Sequence, residues 1–375
     1  MSTYKELDAK YYMPCFGRSM EIVKGEGCTV WDDNGNKYLD LVAGIAVCST
    51  GHCHPEVVDA ICRQAHELIH CSNLYYIPGQ AELAEKLSKA SGMGKVFFGN
   101  SGAEANDAAM KLAKVRTGRN NFVSFDHDFH GRTIGSLAVT HKPQIRTPFE
   151  PLGIPSEFSP YGDIESLKAV VNKDTAAVIF EPIQGETGII IPPADFLPGI
   201  RDICDDTGAM MICDEVQSGM GRTGKWFAFQ HTHVQPDIIS IAKGIASGIP
   251  MGAIIAREGL EFTKGEHGST FAGGPIACAA GNATFNVIEK LLPGIAAKGE
   301  LFRQGLAAFN PRVRGLMIGF TLGDKAPKLA EYCLNHGLLV NVAGEGNIRI
   351  VPPLTISADE IKFAVGVINE AAGQI

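Results

Sequence analysis

The 375-residue sequence predicts an α/β protein: a large domain on a mostly parallel central sheet, then a smaller α+β C-terminal domain. Three observations carry that expectation. Between residues 95 and 256, short apolar runs alternate with helical segments, the pattern of a sheet with helices on both faces. After about residue 275 the texture changes, and a long helical stretch leads into a region with strands and helices of its own. Forty-three glycines, about 11% of the chain against a usual ~7%, often follow apolar runs, where α/β proteins place binding turns.

The elements follow in order. Glu21–Val23 and Thr29–Trp31 flank Gly25 and Gly27 and read as a small strand pair; Asp33-Asn34-Gly35-Asn36 is a hairpin turn before a strand at Tyr38–Val42. Helical apolar spacing runs from Pro55 to His70, and a second helix covers about Gln80 to Ser88. Buried strands are expected at Lys95–Phe98, Asn121–Phe125, Ala176–Phe180, Met210–Cys213, Ile238–Ile241 and Gly252–Ala256, with helices at 102–117 and 195–207 among them. The long helix spans about Pro275–Leu292. Beyond it come strands at Gly315–Leu322, Leu338–Asn341 and Ile348–Ile350, and helices at 326–336 and 358–372. The expected division is an N-terminal arm (1–47) packing with the small domain, a large domain (48–274) and a small domain (275–375). No linker rich in glycine, serine or charge separates them, so close packing is expected.

Composition narrows the function. Hydrophobic residues make up 45% and charged residues 20%, which is globular rather than disordered. A net charge of −8 disfavours broad attraction to nucleic acid or an anionic membrane surface. No apolar run reaches the roughly 18 residues of a membrane span. The N-terminus, MSTYKELDAKYY, has no apolar core of a secretory signal. Ten scattered cysteines read as reduced thiols, so a cytoplasmic protein is expected.

Five segments could carry chemistry, and each has a plainer alternative. In Gly99-Asn100-Ser101-Gly102-Ala103-Glu104, a strand ends and a helix begins, with Ser101 and Glu104 at capping-box spacing. Such a helix start suits a phosphate, or it is simply a well-capped helix. Asp214-Glu215-Val216-Gln217 follows the run 209–213, beyond the carboxyl end of a strand, where ligands of parallel sheets bind. Asp214 there needs a cation or several donors, or it caps a loop. Lys243 follows Ile238–Ile241 and is either a solvated charge or a desolvated amine able to form a Schiff base. Phe129-His130-Gly131-Arg132-Thr133 is a stacking and carboxylate-binding corner, or a loop anchored by its phenylalanine. Arg349 alternates with Ile348 and Ile350, so it faces solvent or a carboxylate. Cys62, His66, His70 and Cys71, like His52, Cys53 and His54, are close in sequence but lack a paired Cys-x-x-Cys; no metal is assigned. Neither a P-loop nor a convincing dinucleotide Gly-x-Gly-x-x-Gly is present, which disfavours a nicotinamide dehydrogenase.

Taken together the segments resemble the class III, or omega, aminotransferases that use pyridoxal 5′-phosphate (PLP). The likeness runs from Gly25-Glu26-Gly27 through Gly51-His52-Cys53-His54-Pro55 to Ile348-Arg349-Ile350-Val351-Pro352-Pro353-Leu354. The strings NSGAEAN (100–106), FHGRT (129–133), EPIQGE (181–186), DEVQ (214–217), AKG (242–244) and GSTFAGGP (268–275) stand in the family's order. Within the family, the compact length and Leu41–Val47 are similar to the acetylornithine-specific members. The resemblance implies PLP fold type I and a homodimer with active sites at the interface. It matches Lys243 to the Schiff-base lysine and proton carrier, and Asp214 to the partner of the pyridinium nitrogen. Val216 and Phe129 match the two faces of a ring sandwich, and Gln217 lies near the ring hydroxyl. Ser101, Gly102 and Ala103 form the phosphate turn, with Thr270 reaching the phosphate from the other subunit. Ala103 replaces a threonine of some relatives, and Thr187 a small residue of many, so a lost contact and a narrower pocket are expected.

The implied substrates are acetylornithine as amino donor and the pair 2-oxoglutarate/glutamate. Arg349 resembles the receptor for glutamate's α-carboxylate, and Arg132 takes the distal one or acetylornithine's α-carboxylate. Glu186 resembles a switch that pairs with Arg349 when glutamate is absent, and Ser269 lies near the substrate. Ile45 stands where ornithine-specific members resemble one another in a tyrosine, which favours an acylated amine. Sister aminotransferases acting on ornithine, succinylornithine, acetyl-lysine-type substrates or 4-aminobutyrate remain the alternative. An aminomutase on the same fold and a non-catalytic dimeric binding protein are weaker.

Overall fold

The computed structural model describes residues 3–374. Its central sheet has seven strands, in the spatial order Val96–Gly99, Gly252–Ala256, Ile238–Ile241, Met210–Asp214, Thr175–Phe180, Asn121–Phe125 and Ser156–Ser159. Gly252–Ala256 runs antiparallel to both its neighbours, and every other pairing is parallel. All four strands from Thr175–Phe180 across to Gly252–Ala256 are buried along their whole length. That is why they read as continuous apolar runs without alternation.

Alternation survives in where the side chains go. Ile212, Ile238 and Ile254 pack under Ala105, Ala108, Ala109 and Leu112 of the helix Gly102–Thr117. Met211, Cys213 and Ile239 face the other way, towards Phe196 and Ile200 of the helix Phe196–Thr207 and Cys278 and Ile288 of the helix Pro275–Leu291. The alanines let the first helix lie close on the sheet. Its Ser101 cap accepts from Glu104 N at 3.2 Å. The expected capping box is only half formed, because the Glu104 carboxylate turns back to Asn100 N (2.7 Å) and Nδ2 (2.8 Å) instead.

Two smaller sheets flank this layer. One joins Ile22–Glu26, Thr29–Asp32 and Lys37–Asp40 to Leu338–Leu339, the last pair being parallel. The other has the order Arg312–Arg314, Met317–Thr321, Asn347–Ile350, Asn341–Ala343, all antiparallel. The strand expected at Leu338–Asn341 is therefore divided between two sheets. The helix expected to reach His70 ends at Glu67, and Leu68 is extended. Ser156–Ser159 and Arg312–Arg314 were not legible in sequence. Each lies at a sheet edge with one neighbour and carries no apolar run. Among the described residues, no helix is long and apolar enough to cross a membrane.

Candidate active site

Parallel strands that end on one edge bring their following loops together. Here the loops after Val96–Gly99, Asn121–Phe125, Thr175–Phe180, Met210–Asp214 and Ile238–Ile241 surround a cavity of about 370 Å³. Ser101, Gly102, Ala103, Phe129, Arg132, Asp214, Val216, Gln217 and Lys243 all line it, so residues spread over 143 positions of sequence meet in one cleft.

Asp214 ends its strand on the face covered by the helix Gly102–Thr117 and is 3% exposed. Three hydrogen-bond partners fix it. Its Oδ1 accepts from Val216 N at 2.9 Å, and its Oδ2 accepts from Asn106 Nδ2 and is bonded to His130 Nδ1, each at 2.7 Å. Ser240 Oγ donates to Asn106 Oδ1 and orients that amide. His130 Nε2 lies 3.4 Å from Asp128 Oδ2 and 3.2 Å from Ser124 Oγ. Burial opposes a charged imidazole, but Asp128 and Asp214 overcome it and raise the His130 pKa to about 10. Glu181, also on the cavity, accepts from Phe129 N at 3.0 Å and Gly185 N at 3.3 Å. Burial and the nearby Asp128 and Asp214 charges push its carboxyl up to about 8. Asn106, Asp128, His130 and Glu181 were not singled out in sequence. Three of them sit inside the quoted strings, but nothing in the order of residues says they converge on Asp214.

Lys243 opens a short turn after its strand with φ at 40°, a left-handed value that a side chain seldom adopts. Burial holds its amine below the usual lysine range, Glu186 opposes that shift, and Arg349 adds to it. A neutral amine is the nucleophilic form.

The helix start beside it leaves donors free. Glu104 N and Ala105 N bond to Ser101, whereas Gly102 N and Ala103 N have no acceptor among the described residues. A side chain at 102 would place its Cβ 2.9 Å from Val216 Cγ1, so glycine is needed for the close approach. Gln217 is 5% exposed, and its Oε1 is buried without a partner. Unused N–H groups at a helix N-terminus fit a phosphate, and an unmatched amide oxygen facing the cavity fits a polar ring substituent. The chain's own donors thus suit a phosphate-bearing aromatic cofactor.

Arg349 is 2% exposed and pairs with Glu186 Oε1 at 2.7 Å. It also donates to Gly185 O at 3.1 Å and Asn341 Oδ1 at 2.8 Å, and its Nε is buried without a partner. Burial would raise the Glu186 carboxyl, but Arg349 outweighs it and the pKa is lowered. Arg132 is exposed, its guanidinium 5.9 Å from the Phe129 ring centroid.

Not every expected residue lies at this cavity. Arg349, Glu186 and Ile45 are outside its lining. Ser269 accepts from Asn100 Nδ2 at 3.2 Å, and Thr270 is exposed on the adjoining loop. Thr187 turns its hydroxyl to Gln184 Oε1 at 3.5 Å rather than into the cavity. Among the described residues, no group of three or more His, Cys, Asp or Glu converges as a metal would require.

The model of the family described as "Aminotransferase class-III" matches residues 14–372. The chain is 49% identical over 374 residues to the acetylornithine aminotransferase of Methanosarcina mazei, covering 97% of this chain and 95% of the relative. It is also 49% identical over 381 residues to that of Methanopyrus kandleri, covering 98% of each. Among solved structures, an ornithine aminotransferase from Toxoplasma gondii superposes with a TM-score of 0.93 at 29% identity, covering 99% of this chain and 95% of the other. An acetylornithine aminotransferase from Elizabethkingia anophelis gives 0.86 at 30% identity, covering 99% and 98%.

Proposed function

Since the chain belongs to the class-III aminotransferases, we propose that it moves the terminal amino group of N2-acetylornithine to 2-oxoglutarate, with pyridoxal 5′-phosphate as cofactor. The products are N-acetylglutamate 5-semialdehyde and glutamate, a step of arginine biosynthesis. When bound, the cofactor supplies an aldehyde for amine exchange and a ring that accepts an electron pair. Lys243, its amine lowered by burial into the nucleophilic range, would be the residue that holds the cofactor's aldehyde and carries the substrate proton. Asp214, fixed by Val216 N, Asn106 Nδ2 and His130 Nδ1, would be the partner of the cofactor's ring nitrogen. Gly102 and Ala103 N–H groups would hold the phosphate, Phe129 and Val216 would confine the ring, and Gln217 would meet its hydroxyl.

The single observation that carries the dual specificity is the buried Arg349–Glu186 pair. Glutamate and 2-oxoglutarate have two carboxylates, for Arg349 and Arg132. Acetylornithine has one, for Arg132, and offers methylenes at Arg349. A guanidinium left bare there is costly, so Glu186 covers it. The amino donor's identity is supported by the names of relatives at 49% identity.

Glu186→Ala tests this. Breaking a buried pair on one side costs about 3–5 kcal/mol, less where water enters, and each ~1.4 kcal/mol is tenfold in rate. Glutamate should react undiminished or faster, and acetylornithine about ten- to a thousandfold more slowly relative to it. Stopped-flow absorbance of the bound cofactor with each donor measures the two half-reactions. Equal losses with both would withdraw the switch.

The reading includes a homodimer with interface sites. It is supported by exposed Thr270 and Phe271 beside the site and by exposed Leu68, Ile69, Leu74, Tyr75 and Tyr76. It treats 48–274 as the cofactor domain and 275–375 as the small domain, which the arm 1–47 joins. The pairing of Lys37–Asp40 with Leu338–Leu339 supports that join. The ten unpaired cysteines suit the cytoplasm.

A further inference from the structure

Arg312 and Arg349 stand in one row of the small antiparallel sheet. Arg312 is opposite Gly319, and Gly319 is opposite Arg349. Residues opposite one another across a sheet project from the same face, so the two guanidinium groups flank a gap that Gly319 leaves open. The loop carrying Glu186 lies across that row. At one end Arg349 donates to Gly185 O and pairs with Glu186. At the other, Arg312 donates to Gly188 O and Ile189 O, each at 2.9 Å. Between them Gly188 O fills the gap, since a Cβ at 319 would lie 2.1 Å from it.

This loop does not keep its shape by local preference. Two backbone bonds of 3.0 Å between Gln184 and Ile190 close its base. Within it Gly188 has φ at 99° and Ile189 at 63°, and a β-branched residue is strained at such a value. Strain of this kind persists only where surrounding contacts over-determine it. The two carbonyls that Arg312 grips belong to those two residues. Asn347 adds a third tie, from its Nδ2 to Thr187 O at 3.0 Å. Its Oδ1 in turn accepts from Arg312 Nη2 at 2.8 Å and Thr321 Oγ1 at 2.6 Å. A Cβ at 188 would lie 2.2 Å from Asn347 Cβ, so the loop is pressed against this strand. Arg312 is half-buried; burial lowers its pKa, and no carboxylate among the described residues opposes that shift. Its fork serves neutral acceptors on the Glu186 loop.

We propose that Arg312, with Asn347, is a positioning residue that holds the 185–189 loop over Arg349, and so governs the choice between a donor with one carboxylate and glutamate with two. This rests on the Glu186 switch described above. Acetylornithine needs Glu186 on Arg349, so a loose loop lowers the fraction of molecules ready for it. Glutamate needs Arg349 free and loses nothing.

Arg312→Ala tests this in the PLP-loaded enzyme, alone and combined with Glu186→Ala. Alone, it should shift the ratio of the two half-reactions about tenfold towards glutamate, read by stopped-flow absorbance of the bound cofactor. That is the equivalent of about 1.4 kcal/mol, within the range for coupled neighbours. Added to Glu186→Ala it should shift the ratio by less than about twofold, because no carboxylate is left to position. Hydrogen exchange at the Gly188 and Ile190 amides, bonded to Gly185 O and Gln184 O, should quicken in Arg312→Ala without any substrate. The same shift in both backgrounds would overturn the proposal, since Arg312 would then act without Glu186. So would unchanged exchange, or faster exchange with an unchanged ratio. Arg312→Lys keeps the stem and the charge but loses the fork, so it should give a smaller shift of the same sign. If Arg312→Ala does not fold, Arg312→Lys decides by the same cycle. Equal losses with both donors in Glu186→Ala alone would instead defeat the switch itself, and this proposal with it.

Discussion

Lys243 is set in its state by burial and its neighbours, and Asp214 is set in its position by three hydrogen-bond partners. Lys243→Ala should abolish turnover while leaving the fold intact, because among the described residues no second amine lines the cavity. Turnover assays beside circular dichroism check this, and retained activity would remove Lys243 from its role. Asp214→Ala should lower turnover by several orders of magnitude and weaken cofactor retention. The support behind Asp214 gives a sharper expectation. His130 is held positive chiefly against burial by Asp128 and then by Asp214. Burial raises Asp128's own carboxyl, yet its bond to His130 is the first contact that raises the imidazole, so replacing Asp128 with asparagine should lower the His130 pKa. Any activity that needs the imidazolium should then fail at lower pH, and the alkaline limb of the kcat profile should move towards neutrality. An unmoved limb in Asp128→Asn would show that His130 holds Asp214 by geometry alone.

At the scale of elements, the helix Gly102–Thr117 combines two jobs at one end. Ser101→Ala removes a cap and should cost about 1 kcal/mol of stability. Gly102→Ala should weaken PLP binding as well as cost stability, since the new methyl would lie 2.9 Å from Val216 Cγ1. Thermal melts with and without PLP separate the two effects. The strand Lys37–Asp40 carries a pH-dependent contribution through His52, whose pKa is raised from the ordinary 6.5 to about 10, first by the Asp40 hydrogen bond and then by the Cys48 thiol. A raised pKa stabilises the fold fully below about 6.5, less above it, and not at all beyond about 10. The melting temperature of the parent should therefore lose its advantage over His52→Ala as pH rises from 6.5 to 10. A constant difference across that window would mean the pair is not ionic.

For the whole molecule, the exposed apolar strip Leu74, Tyr75 and Tyr76, with Phe271, predicts a particle of twice the 40.0 kDa chain mass in light scattering. If Thr270 serves the partner's phosphate, Thr270→Ala should loosen PLP without shifting that mass. PLP at a hundred times its Kd should stabilise the parent by about 2.7 kcal/mol, and less at the same concentration in the variant. A monomer with full PLP affinity would remove the interface from the site.

The central sheet was legible in sequence because its strands are buried on both faces and so read as unbroken apolar runs ending in Asp214 or just before Lys243. The helix start at Ser101 was legible because capping is local chemistry. The alternation of Arg349 between Ile348 and Ile350 likewise follows from the strand's period of two, and the isoleucines do lie in the core. What sequence order could not carry was convergence over distance. Asn106 and Asp214 are 108 positions apart and 2.7 Å in space. Edge strands without apolar runs, the division of Leu338–Ala343 between two sheets, and the direction of the Glu104 carboxylate depend on which neighbour each backbone finds. A left-handed turn is the clearest case. Ala43-Gly44-Ile45-Ala46 has the local preference of an ordinary right-handed segment, and only Asp40, His52 and the packed underside of Ala46 reverse its hand. Local rules fixed the strands and the helix caps, because those depend on a residue and its near neighbours. Tertiary contacts fixed strain and charge state, because both are paid by atoms far away in the chain.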